Sequence, residues 1–406
     1  MATKRYLPVA LVFVAVITAA MNLRAGIAGL GPVLGDVLAS FNASGNLAGI
    51  ITAMPGAFFA VMGLSAVPIA RRVGLSRTLW LGMAMTLIGT AFRPWVNSAW
   101  PFMALTAFVV AGIALSNVLL PAWIKLHGGR NIVTLMTLNT TLLGASGAVG
   151  PLSALFVDGD DGWRHALFFW VWIAIAQVAV WAIVALRTGF DFPDSAQQPE
   201  AEPGKKKRRP ASLFSSPTAI FLMVFFGLQS MNAYIQMGFL PQILIDAGTS
   251  QAKASIALAV VGAMNILGGI VMPPLIDKVA SLAPYILAIA GFAVIGYLGI
   301  LLAPTSGTLI WSAILGLGGW AFPGALALIV ARSREPEVTA RLSGFVQPVG
   351  YLFPMVGPLI VGAVYTPQAP NWAGIIIALI IASVIQGLVG ARAARRFFVD
   401  DELARR

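Results

Sequence analysis

The sequence predicts an all-α integral membrane protein of twelve transmembrane helices, arranged as two pseudo-symmetric six-helix bundles. Three observations lead there. Of the 406 residues, 58% are hydrophobic and 10% are charged, whereas about a quarter of a soluble chain is usually charged. Apolar runs long enough to cross a bilayer recur along the whole chain. Landmark residues of the first half return in the second at a nearly constant spacing.

The same composition removes whole classes of function. A net charge of +11 would suit nucleic acid, but the basic residues sit in short loops between apolar runs, where they set orientation in a membrane. The chain has no cysteine, so disulfide and thiolate chemistry are excluded. The two histidines, His127 and His165, stand at predicted helix ends and read as solvated. No Cys/His metal spacing, nucleophile elbow or phosphate loop occurs. No enzymatic activity, metal, cofactor or nucleic-acid partner is expected.

The first apolar run, Leu7 to Val37, is too long for a removed signal peptide and lacks a small-residue cleavage site after a short apolar core. It reads as a retained helix. Leu47 to Ala70 follows and ends at the basic pair Arg71 and Arg72. The third to sixth spans are Leu75 to Trp95, Ala99 to Ile124, Ile132 to Val157 and His165 to Leu186. Residues 188–216 mix Lys205, Lys206, Lys207, Arg208 and Arg209 with acids and prolines, too little apolar surface to fold. They read as a cytoplasmic linker between an N-terminal bundle, 1–187, and a C-terminal bundle, 217–406. The second set runs Pro217 to Ile245, Ala254 to Ile276, Leu282 to Ala303, Thr308 to Ala331, Leu342 to Tyr365 and Trp372 to Ala391.

Loop charges agree with this division. With the N-terminus inside, Lys4, Arg5, Arg71, Arg72, Arg77, Lys125, Arg130, Arg187, the linker cluster, Lys278, Arg332, Arg334, Arg341 and the C-terminal arginines all fall on the cytoplasmic side. Arg93, Arg164 and Lys253 fall outside, with the acidic turn Asp158, Asp160, Asp161. A wrong helix count would scramble this asymmetry, so both termini are expected to be cytoplasmic.

The halves repeat. Met21-Asn22 and Met231-Asn232 open similar runs that reach Pro32 and Pro241; Gly56, Gly63 and Pro68 match Gly262, Gly269 and Pro274; Lys125 matches Arg332 and Gly150-Pro151 matches Gly357-Pro358. Two parallel six-helix halves related by an axis along the membrane normal are a transporter plan, with the substrate held near midplane between them.

This plan resembles the major facilitator superfamily over essentially the full chain. Gly144, Gly147, Gly150 and Pro151 look like its glycine-rich, Gly-Pro-ending fifth-helix motif. Leu119-Leu120-Pro121-Ala122 with Lys125, Gly319-Trp320-Ala321-Phe322-Pro323, and Leu342 to Tyr351 with Gly357-Pro358 beyond are similar to the cyanate and nitroimidazole transporter branch, as is Met21-Asn22-Leu23-Arg24. The resemblance implies a bacterial inner-membrane transporter, working as a monomer, for a small anionic or flat heteroaromatic solute. It also implies gating or structural roles for the Gly-Pro motifs, Arg72 and Asp277. One departure stands out: Val67 and Arg71 occupy the places where the superfamily's first-half loop carries Gly and Asp.

Arg24 is the candidate centre of the site. A charge within a spanning segment is expensive and faces water, protein or an anion. Asp36, twelve residues on, is roughly 18 Å away along a helix, too far to pair. A guanidinium lining a cavity binds a planar anion through paired N–H donors; the bland alternative is snorkelling to the surface. Asn22, two residues earlier, would face a neighbouring helix. By the repeat, Tyr234 takes the place of Arg24 and Asn232 that of Asn22. Gln229, Asn232 and Gln236 form a polar stripe that serves as interhelical glue or lines the pathway, and both readings stand. Gln347 and Tyr351 share a face that serves either the cavity or packing. Trp320 is a packing residue or a stacking platform beside Pro323, and Asn117 is a lone amide. Asp36, with Asp246 its approximate counterpart, sits at an outer helix end; either it or a protonatable substrate held at Arg24 carries a proton, or the protein is a uniporter or anion exchanger, and no dedicated deep proton-carrying carboxylate is expected. The expected function is secondary transport by alternating access. Export of neutral drug-like compounds and a non-transporting receptor are the alternatives.

Overall fold

The computed structural model describes residues 7–156, 159, 161–192, 212–279, 281–368 and 370–404. All regular structure among them is helical. In chain order the helices are α1 Val9–Met21, α2 Ala25–Ala28, α3 Leu34–Ser40, α4 Gly45–Val73, α5 Leu75–Phe92 and α6 Ala99–His127. Next come α7 Ile132–Val149, α8 Gly162–Phe168, α9 Val171–Thr188, α10 Pro217–Asp246, α11 Gln251–Lys278 and α12 Ala283–Leu302. The last are α13 Thr308–Gly318, α14 Ala321–Ala331, α15 Pro336–Gly350, α16 Leu352–Val364, α17 Trp372–Ala393 and α18 Val399–Ala404.

Among the described residues, eleven helical segments are long and apolar enough to cross a membrane. The third span, α5, has 18 residues and is the twelfth of the set. Arg77 and four hydroxyl residues dilute its apolar character, but Ser76, Thr78, Thr86 and Thr90 are all buried. Thr78 and Thr86 donate to the carbonyls of Gly74 and Gly82 one turn earlier, so these hydroxyls are satisfied inside their own helix.

Several spans are broken. The first comprises α1, α2, a 3-10 turn Gly31–Val33 and α3; the tenth is α13 and α14; the eleventh is α15 and α16. Prolines explain most of these breaks, because a proline removes one helical donor and clashes with the carbonyl four residues back. Gly29-Leu30, Gly319-Trp320 and Tyr351 interrupt the helices just before Pro32, Pro323 and Pro354.

The end at which the sixth span stops and the seventh begins is the linker end; the opposite is the far end. The halves meet closely from the far end to the middle. A Cβ on Gly49 of α4 would lie 2.9 Å from the Pro358 carbonyl oxygen and 3.0 Å from Gly362 Cα of α16. On the other side of the bundle, a Cβ on Gly262 of α11 would lie 2.7 Å from Ala148 Cα of α7. Toward the linker end the packing loosens: a Cβ on Gly63 would lie 3.7 Å from Pro348, and one on Gly269 would meet nothing within 4 Å. There α4 and α15 part around an apolar cleft of about 700 Å³ lined by Val61, Leu64, Phe345 and Leu352.

At the linker end, carboxylates close helix ends. Asp191, just past the sixth span, accepts from Ser76 N at 2.9 Å and from Ser76 Oγ at 2.6 Å at the start of α5. In the second half α18 does the same work. Glu402 accepts from Thr218 N at 3.1 Å at the start of α10, and Asp400 from Arg334 N and Glu335 N at 2.9 and 3.0 Å before α15. The expectation of a solvated His127 is corrected: its Nε2 lies 3.0 Å from Asp191 Oδ2 and the side chain is largely covered. The basic cluster of the expected linker falls in residues 193–211, outside the described residues.

Candidate functional site

The buried amides come first, because they fix which faces of the first and seventh spans are free. Asn22 Nδ2 donates to Gln177 Oε1 on α9 at 3.2 Å. Asn232 Nδ2 donates to Gln386 Oε1 on α17 at 3.0 Å. Each half therefore ties its first span to its sixth with the same Asn–Gln pair. In the second half the network extends: Gln386 donates to Gln229 at 2.7 Å, Gln236 to Tyr297 OH at 3.0 Å, and Tyr297 OH to Asn232 Oδ1 at 3.1 Å. Of the two readings of the polar stripe, these contacts match interhelical glue: Asn232 and Gln236 are buried between α10, α12 and α17 with partners inside the bundle.

Arg24 points the other way. It caps the short α2 after the turn Asn22–Arg24 and is half-buried. A Cβ on Gly147 of α7 would lie 3.3 Å from Arg24 Cδ, so the glycine leaves room for the side chain. Arg24 Cζ lies over the Phe322 ring of α14, 5.6 Å from its centroid, within cation–π range. Among the described residues the guanidinium has no carboxylate partner and donates no hydrogen bond to protein.

Aromatic rings continue from Phe322 around the space between the halves. Phe226 lies 5.6 Å from Phe322 and 5.2 Å from Tyr351, and Phe59 lies 5.2 Å from Tyr351 and 6.4 Å from Tyr234. Spans two, seven, ten and eleven thus each contribute to one aromatic wall beside Arg24. The Tyr234 and Tyr351 hydroxyls make no hydrogen bond to protein among the described residues. Of these rings, Tyr234 and Tyr351 stand out in the sequence as candidates and Phe59 and Phe226 do not, since single phenylalanines in apolar helices carry no local signal.

The other candidates fall as follows. Trp320 donates from Nε1 to the Met264 carbonyl at 2.8 Å, and its ring lies against Gly268, whose Cβ would come 2.5 Å from it; it braces α14 on α11. Gln347 Nε2 donates to Ser343 Oγ at 2.8 Å, one turn earlier, and the residue stays half-buried. Asn117 Nδ2 bonds the Ile113 carbonyl of its own helix at 3.1 Å. Gly144 packs on Ile266, Gly150 on Ala25, and Gly357 on Met231, while Pro151 opens the 3-10 segment Gly150–Phe156 and Pro358 lies against Gly49. Arg72 is exposed, and the Asp277 side chain lies outside the described residues. Asp36 is exposed at the far end, where Gln251 Nε2 donates across the halves to its Oδ2 at 2.9 Å and to the Pro32 carbonyl at 3.0 Å. It lines a vestibule of about 830 Å³ shared with Asp246, Gln242 and Tyr365. Beside it, Gly31 of the first span lies directly against the Met237 carbonyl of the seventh, a backbone-to-backbone approach of the two halves.

Two related six-helix bundles facing each other in this way are the plan of a membrane transporter. Residues 12–312 match the family model of the Major Facilitator Superfamily, and the chain belongs to that family. It is 34% identical over 392 residues to the Uncharacterized transporter YycB of Bacillus subtilis (strain 168), covering 95% of this chain and 93% of that one. Two Escherichia coli (strain K12) proteins are also similar. The 2-nitroimidazole transporter is 27% identical over 93% of each chain, and the Cyanate transport protein CynX is 22% identical over 83% of this chain and 85% of that one. Among solved structures, an inward-facing, unoccupied bacterial homolog of the lysosomal transporter Spinster superposes with a TM-score of 0.70 at 16% identity, over 100% of this chain and 98% of that one. That likeness shows the fold.

Proposed function

We propose that the chain carries a small planar anion or a flat heteroaromatic solute, of the cyanate or nitroimidazole kind, by alternating access. The observation that carries the reading is Arg24: a half-buried guanidinium without an acceptor among the described residues, seated on Phe322 beside two tyrosine hydroxyls that make no hydrogen bond among them. In a site screened from water such a fork recognises a planar anion bidentately. The rings of Phe59, Tyr234, Tyr351 and Phe322 offer faces on which a flat solute stacks. The Asp36–Gln251 contact and the Gly31–Met237 approach close the far end, and the cleft between α4 and α15 is the beginning of the opening at the other. We assign the linker end to the cytoplasm from the distribution of Lys and Arg, the membrane to the bacterial inner membrane, the functional unit to the monomer, and residues 188–216 to a tether between two bundles that rock as units.

Thermal stability of the purified protein titrated with cyanate and, separately, with 2-nitroimidazole tests this. A ligand that binds the folded state raises apparent stability by RT ln(1 + [L]/Kd). Binding of either probe that weakens in Arg24→Lys and disappears in a folded Arg24→Ala supports the reading, because an ammonium lacks the planar fork. Unchanged binding in Arg24→Ala assigns Arg24 to a structural role. Binding of the heterocycle alone, insensitive to Arg24, favours export of neutral aromatic compounds through the same wall of rings.

A further inference from the structure

The turn Asn22–Arg24 is the break that proline does not explain. Residues 26–28, which would carry a proline disrupting it, are Gly26, Ile27 and Ala28. Backbone bonding there is of the short type, with Asn22 N on Ala19 O and Leu23 N on Ala20 O, both at 3.3 Å. One turn on, Leu30 N bonds the Ile27 carbonyl at 3.2 Å and so leaves the Gly26 carbonyl without its helical donor. A carbonyl orphaned inside a membrane protein needs another partner.

Arg93 supplies it. The side chain is 1% exposed, and its Nη2 donates to the Gly26 oxygen at 2.9 Å. No carboxylate pairs with it among the described residues, and its Nε is buried without a hydrogen-bond partner. It stands at the C-terminal end of α5, where the helix dipole favours a cation. The other half provides a comparison. Its seventh span, α10, is continuous through Tyr234, and the corresponding end of its third span, α12, carries Leu302 and Ala303. The unwound turn and an arginine at the end of the third span occur together in one half, and neither is found at the matching places of the other.

We propose that Arg93 is a positioning residue for Arg24: by bonding the Gly26 carbonyl it anchors α2, the single helical turn that follows Arg24 directly, and so aims the Arg24 guanidinium between the halves. Without that donor, the free carbonyl is satisfied most simply by the Leu30 N–H, which joins α2 to the turn that follows it and shifts the segment that begins at Arg24. This rests on the reading of Arg24 as the site residue, and its test uses no ligand.

The chain lacks cysteine, so Arg24→Cys places a single thiol at the turn. Gln347→Cys, made separately, places one on the opposite half. Each is made with Arg93, Arg93→Lys or Arg93→Gln, and the rate of modification by a water-soluble methanethiosulfonate reagent is measured in the purified, full-length protein. The rate at position 24 is expected to change about tenfold in Arg93→Gln and about threefold in Arg93→Lys, the scale of losing or weakening one charge-assisted hydrogen bond. The rate at position 347 stays constant. Should Arg93→Gln fail to insert, Arg93→Lys, which keeps the charge and most of the volume, decides alone. An unchanged rate at position 24 in the folded variants overturns the proposal, and so does an equal change at both positions, which would report general loosening.

Discussion

His127 Nε2 lies 3.0 Å from Asp191 Oδ2, and the pair joins the end of the fourth span to the segment leaving the sixth. The same carboxylate caps α5 through Ser76, whose Oγ also accepts from Trp123 Nε1 at 2.8 Å. Burial alone would raise the Asp191 carboxyl, but the hydrogen bonds from His127 and Ser76 outweigh it and hold the group below its usual range. A carboxyl lowered by folding stabilises fully above its unfolded value, about 4, and loses that contribution as pH falls through its folded value. Asp191→Asn is therefore expected to cost about 1–2 kcal/mol at neutral pH. The melting-temperature gap between the two proteins should narrow as pH falls below about 4. A gap that stays constant over that range would show that the carboxylate charge contributes nothing.

The Asn–Gln pairs should behave as paired groups do. Asn232→Leu leaves the Gln386 and Tyr297 groups buried without their partner and should cost about 1–3 kcal/mol. Asn22→Leu, which strands Gln177 alone, should cost less. Adding Gln177→Leu to Asn22→Leu should recover part of that loss, since two apolar groups need no partner. Thermal unfolding of the single and double variants reads the difference, and a double variant less stable than the single one would refute the pairing.

Gly147 makes the space that Arg24 fills. Gly147→Val is expected to displace the guanidinium from Phe322 and weaken an Arg24-dependent anion by about tenfold, the scale of one hydrogen bond lost to a charged group, while the helix still forms. Isothermal titration against the native protein checks it. Full retention of affinity would place the anion elsewhere.

Closure of the far end depends on the approach of Gly49 to Gly362. A bulky residue at 49 must push α4 from α16, so Gly49→Leu should shift the population toward the state open at that end. Thr52, 8% exposed and packed against Gly238, is the reporter: a single Thr52→Cys should label at least about tenfold faster in the Gly49→Leu background, as a population shift of about 1.4 kcal/mol would require. Equal rates would mean that these helices do not separate.

Coupling to protons has a narrow set of candidates. Asp36 lies at the vestibule with Gln251 on it. In proteoliposomes with an imposed pH gradient, Asp36→Asn is expected to leave solute flux unchanged. If a pH gradient drives accumulation and Asp36→Asn removes only that drive, Asp36 is the coupling residue.

How much of this was legible beforehand differs by kind of residue. Spans and their pairing into halves were readable because apolar length and loop charge are local properties of the chain. Arg24 was readable because a charge in an apolar run is conspicuous, and Asn22 followed from helical geometry. The stripe at Gln229, Asn232 and Gln236 was visible, but its direction was not: that depends on Tyr297 and Gln386, far away in sequence. Asp191 hid among polar residues beyond the sixth span. Arg93 was in plain view as an exception to the charge asymmetry, alongside Arg164 and Lys253. All three prove to donate to backbone carbonyls: Arg93 to Gly26, Arg164 to Pro94 and Val96, and Lys253 to Thr305. A cation on the unexpected side of such an asymmetry is thus a sign of a structural contact.

The carboxylates of α18 have a consequence for the order in which the protein is made. Glu402 caps α10 from 184 residues downstream of Thr218, and Asp400 reaches the start of α15 from beyond the twelfth span. A ribosome delivers every span before it delivers these caps. The seventh and eleventh spans therefore enter the bilayer with their leading amides served by water or headgroups, and α18 joins them only after synthesis has passed the last span. Biogenesis of the second bundle ends with a fastening step in the aqueous phase, which a chain released before Val399 would never complete.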